Sequence, residues 1–293
     1  MENNEVSFPY VESEVFETKN GTMYLKFPGA AVLSAPDVRI QGLNAFLKSF
    51  PKDLHFDDYL ADPTKLAPAE TLCKVAGQLC YLSFGPARSM NADAEKYFSN
   101  IKQSGHGSVL EHANFTVLWW GMSRSVTHEL VRHRAGFGFS QVSQRYVGGK
   151  TLRFVERPEY VDDPVLHERF ENYIDLTRDE YEFRTEHLLK KQSEGIKILS
   201  ADSKTDLRKK VRGAARSVLS NEVEAPIMVT ANVRAWRHLF NMRASEHAEV
   251  EIRRAAYQTF KCLHPLAPAL FSDFADLELG DGTMAVSTPY PKV

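Results

Sequence analysis

The sequence is short of cysteine, of long apolar runs and of excess charge of either sign, and each shortage excludes something. Its three cysteines, Cys73, Cys80 and Cys262, form no CxxC pair and cannot make a disulfide framework. A reducing compartment, the cytoplasm, is therefore expected. No apolar run approaches the roughly 18 residues of a membrane helix, so no membrane partner is expected. The opening residues, MENNEVSFPYVESEVFE, are acidic and lack the apolar centre of a signal peptide. A formal net charge of −2 speaks against a long polyanion such as nucleic acid. No internal repeat or low-complexity segment occurs. What remains, with 43% hydrophobic and 25% charged residues, is an ordinary globular composition with ample length for a core.

The basic residues are concentrated. Residues 122–153 hold Arg124, Arg132, Arg134, Arg145, Lys150 and Arg153 against one acid, Glu129. Residues 204–216 hold Lys204, Arg208, Lys209, Lys210, Arg212 and Arg216 against Asp206. Two basic patches on a neutral chain point to small anionic ligands, phosphates above all, although a solvated helix face accounts equally well for the second.

Residues 1–66 read as an extension with a β-prone stretch at Met23–Phe27 and loops set by Pro28, Pro36, Pro51 and Pro63. Helical periodicity begins at Pro68, with Leu72, Val75, Ala76, Leu79 and Cys80 on one stripe, so packing roles are expected for Cys73 and Cys80. Further helices are predicted at 93–103, at 123–134 behind a Ser123 cap, at 164–192, 204–219, 232–243 and 246–262. The 164–192 stripe is Phe170, Tyr173, Leu176, Tyr181 and Leu188. NFTVLWW at 114–120 predicts a buried strand, GFG at 136–138 a tight turn, SQRYV at 143–147 a strand, and the glycines and prolines after about 275 a loose tail. Helices dominate and strands are scattered, so the fold class is α+β rather than alternating α/β.

The densest polar segment is HELVRHRAGFGFSQVSQRYV, residues 128–147. If the helix runs to Arg134, Arg132 and Arg134 diverge by about 200°, with His133 between them. The glycines let backbone pass close to a ligand, and Ser140, Gln141, Ser143, Gln144 and Arg145 add hydrogen-bonding groups. Arginine suits bidentate capture of phosphate or of an anionic ring edge. A helix end with solvated arginines is the plain alternative.

RHR, a short spacer and SQVSQRY together resemble the signature of the flavin-dependent thymidylate synthases. SGHGSVLEH at 104–112, CYLSF at 80–84 and RSVLSNEVEAPIMVTANVRAWRHLFNMRASEHAEVEI at 216–252 are similar to further family segments in the same order. The resemblance covers about residues 70–265. Two departures stand out. Eight residues, not seven, separate Arg134 from Ser143, and Ser220 stands where the family commonly has proline. The resemblance divides the chain into an extension (1–66), a synthase domain (67–272) and a tail (273–293), and implies a central antiparallel sheet flanked by helices.

The same resemblance implies synthesis of dTMP from dUMP, with methylenetetrahydrofolate as carbon donor, FAD as bound flavin and NADPH as reductant, in a homotetramer with flavin sites between subunits. By matching position, His106, Ser108, Arg132, His133, Arg134, Gln141, Asn232, Arg234 and His238 are expected to hold FAD. Glu129, Val142, Ser143, Gln144, Arg145, Arg216 and Arg243 are expected to hold dUMP, and Arg243, at the uracil edge, is the catalytic expectation. The residues fit this in part: Asn232 can cap a helix, which puts Arg234 and His238 one turn apart on one face. No cysteine lies in the nucleotide segments, so no thiolate nucleophile is expected, and with no HExxH or cysteine pair no metal is expected either. Two other readings stand beside it, a non-catalytic nucleotide- or flavin-binding homologue, and a metalloenzyme using His106, Glu111 and His112 with His128 or His133.

Overall fold

The computed structural model describes residues 9–61, 65–86, 94–194, 199–201 and 203–293; Pro63, Asp93 and the first eight residues of the acidic start lie outside them. In chain order the strands are β1 (Tyr10–Val11), β2 (Val15–Glu17), β3 (Met23–Leu25), β4 (Gly29–Ser34), β5 (Asn114–Trp120), β6 (Phe137–Gln141), β7 (Arg153–Val155), β8 (Ile227–Asn232), β9 (Ala275–Glu278) and β10 (Met284–Ser287). The helices are α1 (Asn44–Leu47), α2 (Pro68–Leu79), α3 (Ala94–Gln103), α4 (Arg124–Leu130), α5 (Pro164–Ser193), α6 (Lys204–Ala215), α7 (Val233–Arg243), α8 (Val250–Leu263) and α9 (Pro268–Phe271).

The fold is α+β around a five-stranded antiparallel sheet of order β1-β4-β5-β8-β6. Alternation along β5 and β8 turns Phe115, Val117, Trp119, Ile227, Val229 and Ala231 to one face, where Trp236, Leu239 and Phe240 of α7 and Ile252, Ala256 and Phe260 of α8 bury them. A second sheet, β2-β3-β7, packs Tyr24 and Phe154 against Phe170 and Ile174 of α5. No helix of the described residues is long and apolar enough to cross a membrane.

Several expectations are corrected. The predicted α2 stripe is turned: Leu79 and Cys80 are exposed, while Glu70, Cys73, Lys74 and Gln78 are buried. Glu70 tolerates burial because its oxygens accept from the Ala67 N–H at 2.9 Å and the Ala269 N–H at 2.7 Å. On α5 the inward residues are Phe170, Ile174, Thr177 and Tyr181, and Tyr173 and Leu176 face out. Turn and strand exchange places beyond α4. Residues 137–141 pair with β8 as an edge strand, and 144–146 form the turn. The tail is a hairpin of β9 and β10 whose Ala285 and Val286 are buried. Within residues 1–66, β4 carries Ala30 and Val32 into the main core.

Candidate functional site

Helix α4 starts from a buried anchor. Ser123 caps it, its N–H and hydroxyl donating to the Glu251 carboxylate at 2.6 and 2.8 Å. The helix ends at Leu130, so Arg132, His133 and Arg134 sit on irregular backbone beyond it and the 200° divergence does not apply. Arg132 and Arg134 are exposed and their side chains make no hydrogen bond or ion pair among the described residues.

Helix α7 faces this backbone. Asn232 caps it, its side-chain oxygen accepting from the Ala235 N–H at 2.9 Å, and Arg234 and His238 follow one turn apart. At its last residue, Arg243 donates through Nη1 to Glu129 at 2.8 Å and through Nε to His133 Nε2 at 3.1 Å. Accepting at Nε2 makes His133 the neutral tautomer protonated at Nδ1. Burial, then the charge of Arg243 and the neighbouring His238, push its pKa down to about 4. The His133 and His238 rings lie 5.7 Å apart, and Phe137 is 5.8 Å from His133.

Two adjoining cavities share Ala135 and His238. One, of about 260 Å³, is lined by Arg132, His133, Arg134, Phe137 and Arg243; the other, of about 320 Å³, by Gly136, Asn232 and Arg234 among others. Gly136 lines the larger one, close against the start of α7. Its φ is +77°, and a Cβ there would stand 2.7 Å from Asn232 Nδ2 and 3.0 Å from Ala235 Cβ. The groove therefore offers unpaired guanidinium groups, a neutral imidazole and a close backbone, a donor set that fits a planar ring carrying phosphates.

Not every expected residue meets this groove. His106 and Ser108 line a separate cavity with Cys80 and Tyr81, although Gly107 between them abuts Arg234, whose Nε would lie 2.9 Å from a Cβ at that position. Gln141 directs its amide to Thr127 Oγ1 at 3.1 Å. Val142 and Gln144 line a cavity with Arg153 and Glu224, and Gln144 Nε2 is buried there without a partner among the described residues. Ser143 accepts from the Arg145 N–H at 3.4 Å, and Arg145 packs by Gly213 of α6, three residues before Arg216. Among the described residues, no hydrogen bond or ion pair joins 142–145 or Arg216 to Arg243. Glu111 is held by Arg234 at 2.6 Å and is thus engaged by a cation of its own chain.

Sequence reasoning missed the support behind α7. Arg237 forms a bidentate pair with Asp273 at 2.7 and 2.8 Å, and Lys102 joins them at 2.8 Å. Burial would raise the Asp273 pKa, but Arg237, Lys102 and Thr288 outweigh it and hold that carboxyl well below the usual range. The spacing of Arg237 from Arg234 and His238 is visible in the sequence, yet its partners lie 36 residues on in Asp273 and far back in Lys102, beyond any local signal.

Known proteins match this chain over most of its length. A sequence model of the family described as thymidylate synthase complementing protein matches residues 63–269. A protein of Mycobacterium avium named flavin-dependent thymidylate synthase is 42% identical over 237 residues, 79% of this chain and 92% of that relative. One of the same name from Corynebacterium diphtheriae is 40% identical over 255 residues, 87% of this chain and 96% of the relative.

Proposed function

The chain belongs to the thymidylate synthase complementing protein family, and from that premise we propose that it makes dTMP from dUMP in the cytoplasm as a flavin-dependent methyltransferase. The carbon unit comes from methylenetetrahydrofolate and the reducing equivalents from NADPH. One observation carries the reading: Arg243 is held between Glu129 and His133 in a groove where Arg132 and Arg134 have no partner among the described residues.

In this reading Arg132, His133 and Arg134, with Asn232, Arg234 and His238, hold FAD, and His106, Ser108 and Gln141 complete its site. When bound, FAD supplies the hydride that the reductive methylation needs. Arg243 keeps free N–H donors after meeting Glu129 and His133. They meet the carbonyl–imide edge of the dUMP ring and stabilise the charge that develops when the ring is attacked. Glu129 fixes the guanidinium plane, and neutral His133 accepts from Nε without adding a competing charge. Arg145 and Arg216, with the backbone of Val142, Ser143 and Gln144, take the phosphate. No cysteine acts as nucleophile. Cys73 and Cys262 are buried, burial pushes the Cys73 thiol up to about 12, and the exposed Cys80 lines the His106–Ser108 cavity, apart from the one that Arg243 lines.

The separation of 106–108 and 142–145 from Arg243 within one chain supports a homotetramer in which neighbouring subunits complete each site. So does the second face of the central sheet, which leaves Leu33 and Met228 exposed. The test is anaerobic mixing of the purified protein with FAD, NADPH, dUMP and methylenetetrahydrofolate. Formation of dTMP is expected; a flavin-loaded protein that forms none overturns the reading.

A further inference from the structure

The family match ends at residue 269, yet one wall of the groove is built from beyond it. Pro291, Lys292 and Val293 line the larger cavity with Asn232, Arg234 and His238. This segment is fastened on both sides of Lys292. Val293 is 8% exposed and belongs to the main core, and its carbonyl oxygen accepts from Arg237 Nε at 3.2 Å. The Val293 N–H donates to the Tyr290 carbonyl at 3.3 Å, the Tyr290 N–H to Thr288 Oγ1 at 3.0 Å, and the Thr288 hydroxyl to Asp273. The triad that orients α7 therefore also holds the wall in place.

Charge gives that wall a task. Within the cavity Arg234 is already matched by Glu111 at 2.6 Å. Lys292 is exposed and has no carboxylate partner among the described residues. It is thus an unmatched cation in a cavity that continues into the one lined by Arg132 and Arg134. We propose that Lys292 is a binding residue for the phosphate portion of the nucleotide cofactor, supplied by a wall that lies outside the part of the chain matched by the family model. A lysine ammonium is a compact point charge that suits phosphate oxygens, and its exposure makes the contact modest and sensitive to salt. The proposal rests on the reading that this groove holds FAD.

The experiment compares flavin binding by the full-length chain and its Lys292→Gln, Lys292→Glu and Lys292→Arg variants, using FAD and riboflavin, which has no phosphate. Lys292→Gln should weaken FAD by about two- to fivefold, as an exposed charge contact allows, and Lys292→Glu by about tenfold. Lys292→Arg should retain wild-type affinity, and raising the salt should narrow the differences. Riboflavin should bind all four alike. In a second measurement, bound FAD should slow acylation of Lys292 and leave that of exposed Lys19 unchanged. Wild-type FAD affinity in Lys292→Glu overturns the proposal, as does equal loss for FAD and riboflavin, which would mean a packing defect. A wild-type chain that takes up no FAD removes the flavin reading and the proposal together, whereas bound FAD with indifferent variants removes the proposal alone.

Discussion

Helix α7 carries two arginine–carboxylate clusters, and burial makes them different devices. The side chains of Arg237, Asp273 and Lys102 are 1%, 6% and 3% exposed, and Arg237 places its donors on Asp273, the Leu270 carbonyl and Val293. At that depth the cluster is closed to a ligand. Arg243 and Glu129, two turns on, are 23% and 26% exposed, and Arg243 keeps donors toward the groove. The same pair of chemical groups is a clamp where water is excluded and stays open to a ligand where it is not. Removing a partner from a buried pair strands a charge, while removing one from an open pair mainly forfeits what it would have done to a ligand.

The largest effect should come from breaking the clamp. Asp273→Asn leaves Arg237 and Lys102 buried beside a neutral amide, and about 3–5 kcal/mol of stability should be lost. Denaturant unfolding followed by circular dichroism measures it. A loss under about 1 kcal/mol would mean that the cluster is not the clamp described.

Breaking the open pair should leave the fold and remove the chemistry. Arg243→Ala should keep its flavin and its oxidation of NADPH by dioxygen, yet form dTMP about 10²–10³-fold more slowly, the usual cost of one preorganised charge donor. The comparison fails if Arg243→Ala unfolds as readily as Asp273→Asn, or if its turnover stays near wild type.

How far the sequence could foresee this contrast depends on the range of each interaction. Local signals sufficed for β5, for the Asn232 cap with Arg234 and His238 behind it, and for the clustered RHR. Each needs only neighbours within about one turn. Where long-range pairing decides, they failed. The glycines of 136–138 read as a turn, but β8 supplies a pairing partner that draws 137–141 into the sheet. The stripe from Leu72 to Cys80 read as one apolar face of α2, but Leu79 and Cys80 are exposed and the Ala269 N–H meets the buried Glu70 carboxylate instead. Lys292 read as loose tail because its wall is set by Arg237 and the core rather than by its own sequence. Between Arg134 and Ser143, where the chain is one residue longer than the family signature, the β6–β8 register runs without a bulge.

A smaller effect concerns protons. His133 is held near a pKa of about 4, below its ordinary 6.5, so the folded state favours the neutral ring. The unfolded chain takes up the proton first as pH falls. His133 therefore contributes stability that is full above about 6.5 and is lost as pH drops toward 4. The ring resonances of His133 should titrate near 4, and Arg243→Ala should move that midpoint upward, because the Arg243 charge is one of its causes. An unmoved midpoint would show that burial and His238 set it without Arg243.

The smallest effect should be at Ser143, and it separates the two halves of the site. In this chain its hydroxyl only accepts from the Arg145 N–H, and no histidine or carboxylate hydrogen-bonds to it among the described residues. A serine so placed has no group to take its proton, which fits the proposed role of a dUMP contact rather than a nucleophile. Ser143→Ala should remove one hydrogen bond, roughly 0.5–1.5 kcal/mol, and weaken dUMP by about tenfold at most. Raising dUMP to saturation should restore turnover, whereas Arg243→Ala stays slow at any concentration because its loss lies in the transition state. Kinetics of both variants across a dUMP series read the difference directly: a rise in KM for one and a fall in kcat for the other. A Ser143→Ala enzyme dead at saturating dUMP beside a working Arg243→Ala would reverse the ranking and move the chemistry from the end of α7 to the 142–145 turn.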